Sequence, residues 1–465
     1  MKKEYRKYWV LFIASLAGVM IIPIFMPYGG ITSDTLSYFK LAKDFPHVKN
    51  SLFPVGYPIL LKIGHFFTGE FYFSSRIIGI LSYALIGIFS YYKRFYFRET
   101  VIILTCKFFM SIYTNSISED IFLTILYFQI YYFHEYLSGN KKGIRFILPI
   151  TILTIYMVMV RYSGVYIYCA TGLFFLYYTL RNNYLSKILS KSYFYYLLFS
   201  FLGIGVYLVY NYMNFGGFFG EQTRSEPDLV DIKDFTYENL LGVINVVNPF
   251  FSINLLNVGG TLASLIEVIV IGIDVFFLLY FLWFYKKHFK VIFTAFHGLL
   301  VTLGGTYLFF MFCSEYIQGI ERLNTRMLAP SSLLLCYSFV ILYYKAFPNK
   351  TTNILLLGVV SLLYNVAYQL KTPVNYLAYK TRVEKIVKER NNIQYFYDDT
   401  ENEKIIISTY KIPFIKTQMM YIHPYIQSGY INANIVRTID PEIILLSDDN
   451  RIKNKSLILY NSEIK

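Results

Sequence analysis

The sequence predicts a polytopic α-helical membrane protein, and its composition and apolar runs are the evidence. The chain has 465 residues, of which 55% are hydrophobic and only 15% are charged. Its mean hydropathy is +0.44. A soluble protein of this length would carry about a quarter charged residues. Long apolar runs recur along the chain, and several approach the ~20 residues that a helix needs to cross the hydrocarbon core.

Eleven apolar segments predict eleven transmembrane helices. The third segment is short and contains Lys107, so its length alone would also suit a re-entrant helix. No small-residue cleavage site follows the first run, Val10–Met26, which we therefore interpret as a retained span. The segments cover about 8–27, 75–93, 100–113, 118–137, 145–161, 163–180, 193–213, 259–285, 289–312, 325–347 and 352–370.

The charges of the connecting loops predict the orientation in the membrane. Basic loops occur at every second connection, starting with the N-terminus and continuing with 93–98 and 141–145. Because Lys and Arg are enriched in cytoplasmic loops, the net charge of +14 indicates topology and not nucleic-acid binding. The basic loops 93–98 and 141–145 can both lie on the cytoplasmic side only if the third segment crosses the membrane. We therefore predict a multi-pass protein of the inner or plasma membrane, with a cytoplasmic N-terminus and an external C-terminus.

The distribution of the apolar segments predicts two domains. Residues 1–370 form the predicted transmembrane domain, with long outer loops at 28–74 and 214–258. Residues 371–465 have no spanning run and are rich in Asn, Lys, Asp and Glu. We predict that they form a small extracytoplasmic α/β domain, with a helix over Asn375–Arg390. Its β-type runs are Ile393–Tyr397, Lys404–Ser408, Ile443–Leu446 and Ser456–Tyr460.

Asp34 is the strongest candidate for a catalytic residue. It lies in the first outer loop, where Thr35–Phe45 has apolar residues at helical spacing and predicts a short interface helix. Tyr38, four residues on, would share a helix face with Asp34. A carboxylate at this position suits a general base at the bilayer surface. The alternative is a helix N-cap, formed by Ser33 or Asp34; we favour the catalytic role.

Further polar residues mark the outer ends of later spans. Tyr57 belongs to a rigid Pro-containing turn, and Glu119 and Asp120 lie at the mouth of the fourth span. Each of these two acids either orients an acceptor or caps the helix. Together with Tyr38, these residues are predicted to shape the acceptor site.

Three arginines on the same side are candidate ligands for a lipid-linked phosphate. A planar guanidinium matches a pair of phosphate oxygens better than an ammonium does. The alternatives are ion pairing with Glu119, Glu315 or Glu321, and snorkelling to headgroups. The three are Arg161, Arg322 and Arg326.

Glu267 and Asp274 lie within the eighth apolar segment and share one helix face. Ionisable groups at that depth usually face a bundle interior or a cavity. They therefore suit a transporter, or else hydrogen bonding between helices. No HExxH, P-loop or Gly-rich nucleotide fingerprint occurs, so no metal or nucleotide cofactor is indicated.

The motifs on the outer side resemble those of the GT-C membrane glycosyltransferases. This group includes protein O-mannosyltransferases, the aminoarabinose transferases of lipid A and related bacterial sugar transferases. The resemblance covers the layout of the first seven spans and a few short motifs. These are Asp34-Thr-Leu-Ser-Tyr38-Phe-Lys-Leu-Ala42, Pro54-Val-Gly-Tyr-Pro58, Ser118-Glu119 and Arg326-Met-Leu-Ala-Pro330.

The resemblance implies an inverting transfer from a polyprenyl-phosphate sugar to a lipid, glycan or protein acceptor. Asp34 would take the proton of the acceptor hydroxyl, and the arginines would hold the departing lipid phosphate. Many members of the family carry two adjacent acids in the first loop, whereas Ser33 and Thr35 flank Asp34 here. This difference argues against a metal-dependent mechanism.

Two alternatives remain open from the sequence. An O-antigen-type polymerase or ligase would use similar substrates, but it usually depends on a large late outer loop, and the long loops here are early and central. A flippase or transporter of lipid-linked sugars would show inverted repeats and broken helices near the midplane, and the sequence shows neither. We expect the largest cavity at Asp34 and Arg326 in a transferase, and around Glu267 and Asp274 in a transporter.

Overall fold

The computed structural model describes residues 5–48, 53–182, 188–221, 232–251, 261–292, 294–318, 323–388, 392–398, 404–410 and Thr438. Helices dominate these residues, and five of the described helices are long and apolar enough to cross a membrane. The architecture is that of a helical membrane protein. The five are Arg6–Phe25, Phe71–Tyr92, Lys191–Phe215, Ala295–Glu315 and Pro348–Gln369.

The α-helices are numbered in chain order. They are α1 (Arg6–Phe25), α2 (Ser33–Asp44), α3 (Gly56–Thr68), α4 (Phe71–Tyr92), α5 (Phe97–Thr105), α6 (Lys107–Thr114), α7 (Glu119–Leu137), α8 (Ile144–Val160), α9 (Gly164–Asn182), α10 (Ile188–Phe215), α11 (Ile232–Ile244), α12 (Thr261–Ile292), α13 (Ala295–Glu315), α14 (Ala329–Ala346), α15 (Thr351–Gln369) and α16 (Tyr376–Lys388). Short 3-10 turns cover Asn245–Val247 and Pro348–Lys350.

Most predicted apolar segments coincide with helices, although the predicted connection at 286–288 lies inside α12. The third segment is not one continuous helix. Its residues form α5 and α6, which are separated at Cys106, where the backbone is extended. The break frees backbone N–H groups, and a buried N–H group needs a partner. The Lys107 N–H donates to Ser361 Oγ at 2.8 Å, and the Phe108 N–H donates to the Pro249 carbonyl at 3.1 Å. A neighbouring helix and the segment after α11 therefore stabilise the break.

The ammonium of Lys107 lies between two tyrosine rings of α15. Its Nζ is 5.2 Å from the ring centroid of Tyr364 and 3.9 Å from that of Tyr368. A cation over an aromatic face is attracted by the ring quadrupole. This contact explains how a lysine is accommodated in a largely apolar run.

The structure contains two helices that the sequence prediction missed, α3 and α11. The N-terminus of α3 packs closely on the end of α8, because the Tyr156 hydroxyl donates to the Gly56 carbonyl at 3.1 Å. A Cβ at Gly56 would lie 2.6 Å from the Met159 carbonyl oxygen, so only glycine fits there. The predicted outer loop 28–74 is thus mostly helical and packed on the bundle.

The start of the C-terminal segment packs against the link between α1 and α2. The Val374 N–H donates to the Phe25 carbonyl at 2.9 Å. The buried ring of Tyr376 covers Gly29, which has a φ of +59°. On α16, Lys380 is buried and its Nζ lies 2.5 Å from Glu70, in the link between α3 and α4. Residues of the C-terminal segment therefore hold the link between α1 and α2 in place.

After α16, a two-stranded antiparallel hairpin comprises β1 (Asn392–Asp398) and β2 (Lys404–Tyr410). In its register Asn392 pairs with Tyr410 and Asp398 with Lys404. The predicted helix over 375–390 and the first two β-type runs coincide with these elements. The predicted runs at 443–446 and 456–460 lie outside the described residues, so the α/β domain remains a prediction.

We expect Gly29→Ala to destabilise the protein more than Gly69→Ala does. Both glycines have positive φ, but a Cβ at Gly29 would overlap the Tyr376 ring, whereas nothing lies within 4 Å of one at Gly69. Overpacking adds about 2 kcal/mol to the shared backbone strain. Unfolding in mixed micelles measures both variants. Replacing Tyr376 by Ala should restore part of the loss in Gly29→Ala, and equal losses in the two glycine variants would contradict this packing.

Candidate active site

The first turn of α2 sets the position of Asp34. Thr32 is the N-cap: its Oγ1 accepts from the Thr35 N–H at 3.3 Å, and Thr35 Oγ1 accepts from the Thr32 N–H at 3.0 Å. The alternative in which Ser33 or Asp34 caps this helix therefore does not hold. Thr35 also donates to the Ser116 carbonyl at 2.6 Å, which ties α2 to the segment before α7. The carboxylate of Asp34, the second residue of α2, therefore takes no part in the cap and can contact other residues.

The carboxylate of Asp34 contacts Arg326, which lies 292 residues later in the chain. Asp34 Oδ2 and Arg326 Nη1 are 2.7 Å apart, and each side chain is 23% exposed. The Nε of Arg326 lies 3.3 Å from Glu119 Oε1, and Arg161 Nη1 pairs with the same oxygen. These four residues, Asp34, Arg326, Glu119 and Arg161, alternate in sign, and we call them the Asp34 cluster.

Local structure suits the charges of Glu119 and Arg161, two members of the cluster. Glu119 is the first residue of α7 and Arg161 is the C-cap of α8, so each side chain opposes the partial charge of its helix end. Glu119 is almost fully buried, whereas Asp34 and Arg326 are partly open. The cluster thus has a buried carboxylate that holds two arginines and an accessible acid–arginine pair.

Arg326 belongs to a turn that leads into α14. The side chain of Asn324 accepts from the Met327 N–H at 3.0 Å, and its carbonyl accepts from the Leu328 N–H at 3.2 Å. Pro330 is in the first turn of α14, where a missing N–H costs nothing. The buried Tyr307 hydroxyl donates to Ser163 Oγ at 3.0 Å and lies 3.3 Å from the Met327 carbonyl. The sequence prediction did not include Tyr307, which links this turn to the residues after Arg161.

Two predicted tyrosines lie beside the cluster. The Tyr38 hydroxyl and Ser118 Oγ are 2.8 Å apart, and the rings of Tyr38 and Tyr57 meet edge to face at 5.1 Å. Burial raises the pKa of Tyr38 and of Tyr57 well above the usual tyrosine value. Both phenols are therefore neutral at physiological pH and act as hydrogen-bonding groups, not as bases.

Asp120 does not join the cluster, although it follows Glu119. Its side chain is fully buried, and Oδ1 accepts from the Ile121 N–H at 2.5 Å. Ser118 is the N-cap residue of α7 but makes no capping bond with its side chain, whereas Asp120 satisfies one free N–H of the first turn. Asp120 is therefore a buried neighbour of Glu119 in the first turn of α7.

Arg76 is a buried arginine that the sequence prediction missed. Its guanidinium donates to the carbonyls of Thr114 at 2.8 Å, Val19 at 3.1 Å and Tyr113 at 3.3 Å. It therefore holds the ends of α1, α4 and α6 together. An arginine within an otherwise apolar run was the available sequence signal.

Some predicted site residues lie outside the described part of the structure. Arg322 and Glu321 are not among the described residues, so the prediction for Arg322 is untested. The side chain of Glu267 is also outside the description, whereas Asp274 is buried and accepts from Asn248 Nδ2 at 2.6 Å. That bond joins α12 to the segment after α11, so Asp274 is a hydrogen-bonding group whose partner does not lie on a helix.

The observed cavities favour neither predicted function. One cavity of about 260 Å³ lies beside Phe250 and Phe281, and another of about 1010 Å³ lies beside Arg6. A third, beside Tyr113, is much smaller. Asp34, Arg326 and Asp274 line none of these three. Within the described part of the chain, no group of three His, Cys, Asp or Glu residues could hold a metal ion.

Comparison of the chain with protein-family models, curated proteins and solved structures finds no match. The resemblance to GT-C enzymes therefore depends on the layout of the first spans and the short motifs. All four of those motifs supply members of the Asp34 cluster or its tyrosine neighbours. A partly exposed acid beside a guanidinium can accept a proton while the guanidinium binds an anion.

We expect Glu119→Gln to lower the free energy of unfolding by about 2 kcal/mol, because Arg161 and Arg326 would lose their shared carboxylate. Glu135→Gln is the matched control on the same helix. Glu135 Oε1 lies 3.8 Å from His134 Nδ1 and accepts from Asn140 Nδ2 at 3.4 Å, and its side chain is 20% exposed. A surface pair of this kind contributes about 0.5 kcal/mol. Denaturation in mixed micelles measures both variants, and similar losses would show that the buried carboxylate does not organise the arginines.

Proposed function

We propose that the protein is a membrane glycosyltransferase. It moves a sugar from a polyprenyl-phosphate donor to the hydroxyl of a lipid, glycan or protein acceptor, with inversion at the anomeric carbon. Asp34 is the general base, and Arg326, Arg161 and Arg322 hold the donor phosphate. Tyr38, Tyr57, Glu119 and Asp120 shape the acceptor side of the site.

The observation that carries the proposal is the ion pair between Asp34 and Arg326. It joins the predicted base and a predicted phosphate ligand at 2.7 Å, although they are far apart in sequence. Both side chains are partly exposed, so substrate can reach them. Glu119 Oε1 lies 3.3 Å from the Nε of Arg326, while its Nη1 contacts Asp34.

The reaction balances with the residues present. The acceptor oxygen attacks the anomeric carbon and its proton passes to Asp34. The bond between the anomeric carbon and the phosphate oxygen breaks, and the electron pair leaves with the polyprenyl phosphate. The arginines stabilise the charge that grows on this phosphate more in the transition state than in the ground state. A phosphate leaving group needs no general acid, so one carboxylate is sufficient.

The proposed topology places this chemistry at the outer face of the cytoplasmic membrane. It has eleven crossings, a cytoplasmic N-terminus and an extracytoplasmic domain over 371–465. The regular alternation of basic loops supports it. In this arrangement α2 and α3 lie at the outer interface, close to a donor phosphate at headgroup depth. Membrane lipids surround the protein, and nucleic acid has no part in the proposed reaction.

Asp34→Asn should lower transfer by roughly 10²–10⁴-fold, because a carboxamide cannot accept the proton. Asp44→Asn, at the other end of α2, should retain transfer. The measurement uses membranes that contain each variant, radiolabelled polyprenyl-phosphate hexoses and pentoses, and detection of labelled acceptor. Full transfer by Asp34→Asn would contradict the mechanism, and the absence of transfer by the natural sequence with every donor would contradict the proposed function.

Arg326→Ala should lower kcat/KM for the donor by roughly a hundredfold, because the leaving phosphate loses a charged partner. Arg326→Lys should retain part of the activity, since an ammonium keeps the charge without the planar fork. Arg145→Ala is the control, because Arg145 is exposed in the first turn of α8. If donor dependence is unchanged in Arg326→Ala, this arginine is not a phosphate ligand.

One observation favours a transporter as the second candidate function. The break between α5 and α6 contacts the Asn248–Phe251 segment, and Asn248 in turn binds Asp274. Broken helices with buried polar groups are typical of transporter sites. The two functions differ in their product: a transferase forms a new glycosidic bond, whereas a transporter leaves the lipid-linked sugar unchanged. The labelled-donor assay therefore separates them.

A further inference from the structure

The surface between α1 and α15 forms a groove that does not belong to the Asp34 cluster. Its volume is about 1010 Å³. Two cations and seven apolar side chains line it, and Leu11 and Leu362 form its buried floor. The complete set is Arg6, Lys7, Val10, Leu11, Ala14, Leu355, Val359, Leu362 and Leu363.

The two cations lie at one end of the groove and the aliphatic residues extend from them. Arg6 and Lys7 occupy the first turn of α1, and Ala14 lies eight residues further along the same helix. At 1.5 Å per residue, this gives an apolar wall of about 12 Å below the charges. Val10 and Leu363, on the two sides, are each 63% exposed.

The charge of this end is not compensated within the described part of the chain. Neither Arg6 nor Lys7 forms an ion pair with the residues that the structure describes. Both side chains are exposed, and the Lys7 Nζ lies 5.5 Å from the ring centroid of Tyr8. Cations in a first helical turn also receive no stabilisation from the helix dipole. An anion at the head of the groove would satisfy them.

We propose that this groove binds an anionic phospholipid. The headgroup phosphate pairs with Arg6 and Lys7, and one acyl chain lies against Val10, Ala14, Val359 and Leu363. Loop cations alone orient a membrane protein, but here they share a groove with apolar walls that run along the helices. An anionic amphiphile matches both parts, whereas a soluble phosphate matches only the first. This inference does not depend on the proposed function.

The experiment compares retention of dioleoyl phosphatidylglycerol and dioleoyl phosphatidylcholine by the purified full-length chain, by native mass spectrometry in detergent. We expect phosphatidylglycerol to be retained preferentially. The double variant Arg6→Gln/Lys7→Gln should weaken its binding on the order of tenfold and remove the preference. Soluble glycerol phosphate should not displace the lipid, because it lacks the acyl chain.

Two further variants make the outcome decisive. Lys93→Gln/Arg94→Gln removes two exposed cations at the same end of the bundle but outside the groove, where the Tyr5 and Tyr91 rings meet at 6.3 Å. It should bind like the natural sequence. Ala14→Phe fills the groove while it keeps both cations, and it should reduce retention. Size-exclusion profiles verify that each variant is folded. Equal retention of the two lipids, equal losses in both double variants, or no effect of Ala14→Phe would overturn the proposal.

Discussion

Compensation of charge at one end of the helix bundle is the constraint on which the rest of the structure depends. Glu119 is almost fully buried, and a buried carboxylate without a partner would destabilise the fold. Arg161 and Arg326 supply that partner from α8 and from the turn before α14. Because Arg326 then reaches Asp34, the buried charge also fixes the relation between α2 and the second half of the chain.

Buried backbone groups impose a second constraint that acts further inside the bundle. The extended backbone at Cys106 interrupts the helical ladder, and the freed N–H groups need partners. Ser361 and Pro249 provide them, and Ser361 Oγ donates in turn to the Phe250 carbonyl at 2.8 Å. The segment after α11 is thereby held between α6 and α15. Since Ser332 Oγ donates to the Val246 carbonyl at 2.8 Å, the same segment also supports α14 below Arg326.

Apolar composition made most of the helices predictable, because a run of such residues must satisfy its backbone internally. The break at Cys106 was not predictable, since no Gly or Pro marks it and its stabilising partners come from distant residues. The helix α3 was missed because Pro54, Gly56 and Pro58 indicate a turn, whereas in the structure they precede or begin a helix. The cap of α2 was not recognised because its capping box has Thr35 at the third helical position, where Glu or Gln is usual. Thr32 and Thr35 form the two reciprocal bonds of this capping box.

The sequence motifs predict that Asp34, Glu119 and Arg326 lie on the same side of the membrane. Only the structure shows which acid pairs with which arginine. That pairing has a mechanistic consequence for the proposed transferase. In the structure the guanidinium of Arg326 donates to Oδ2 of Asp34, so this carboxylate oxygen already has a partner. A donor phosphate would compete for the same guanidinium nitrogen, while Glu119 pairs with the Nε. Binding of the donor would therefore release Asp34 at the step when a base is needed.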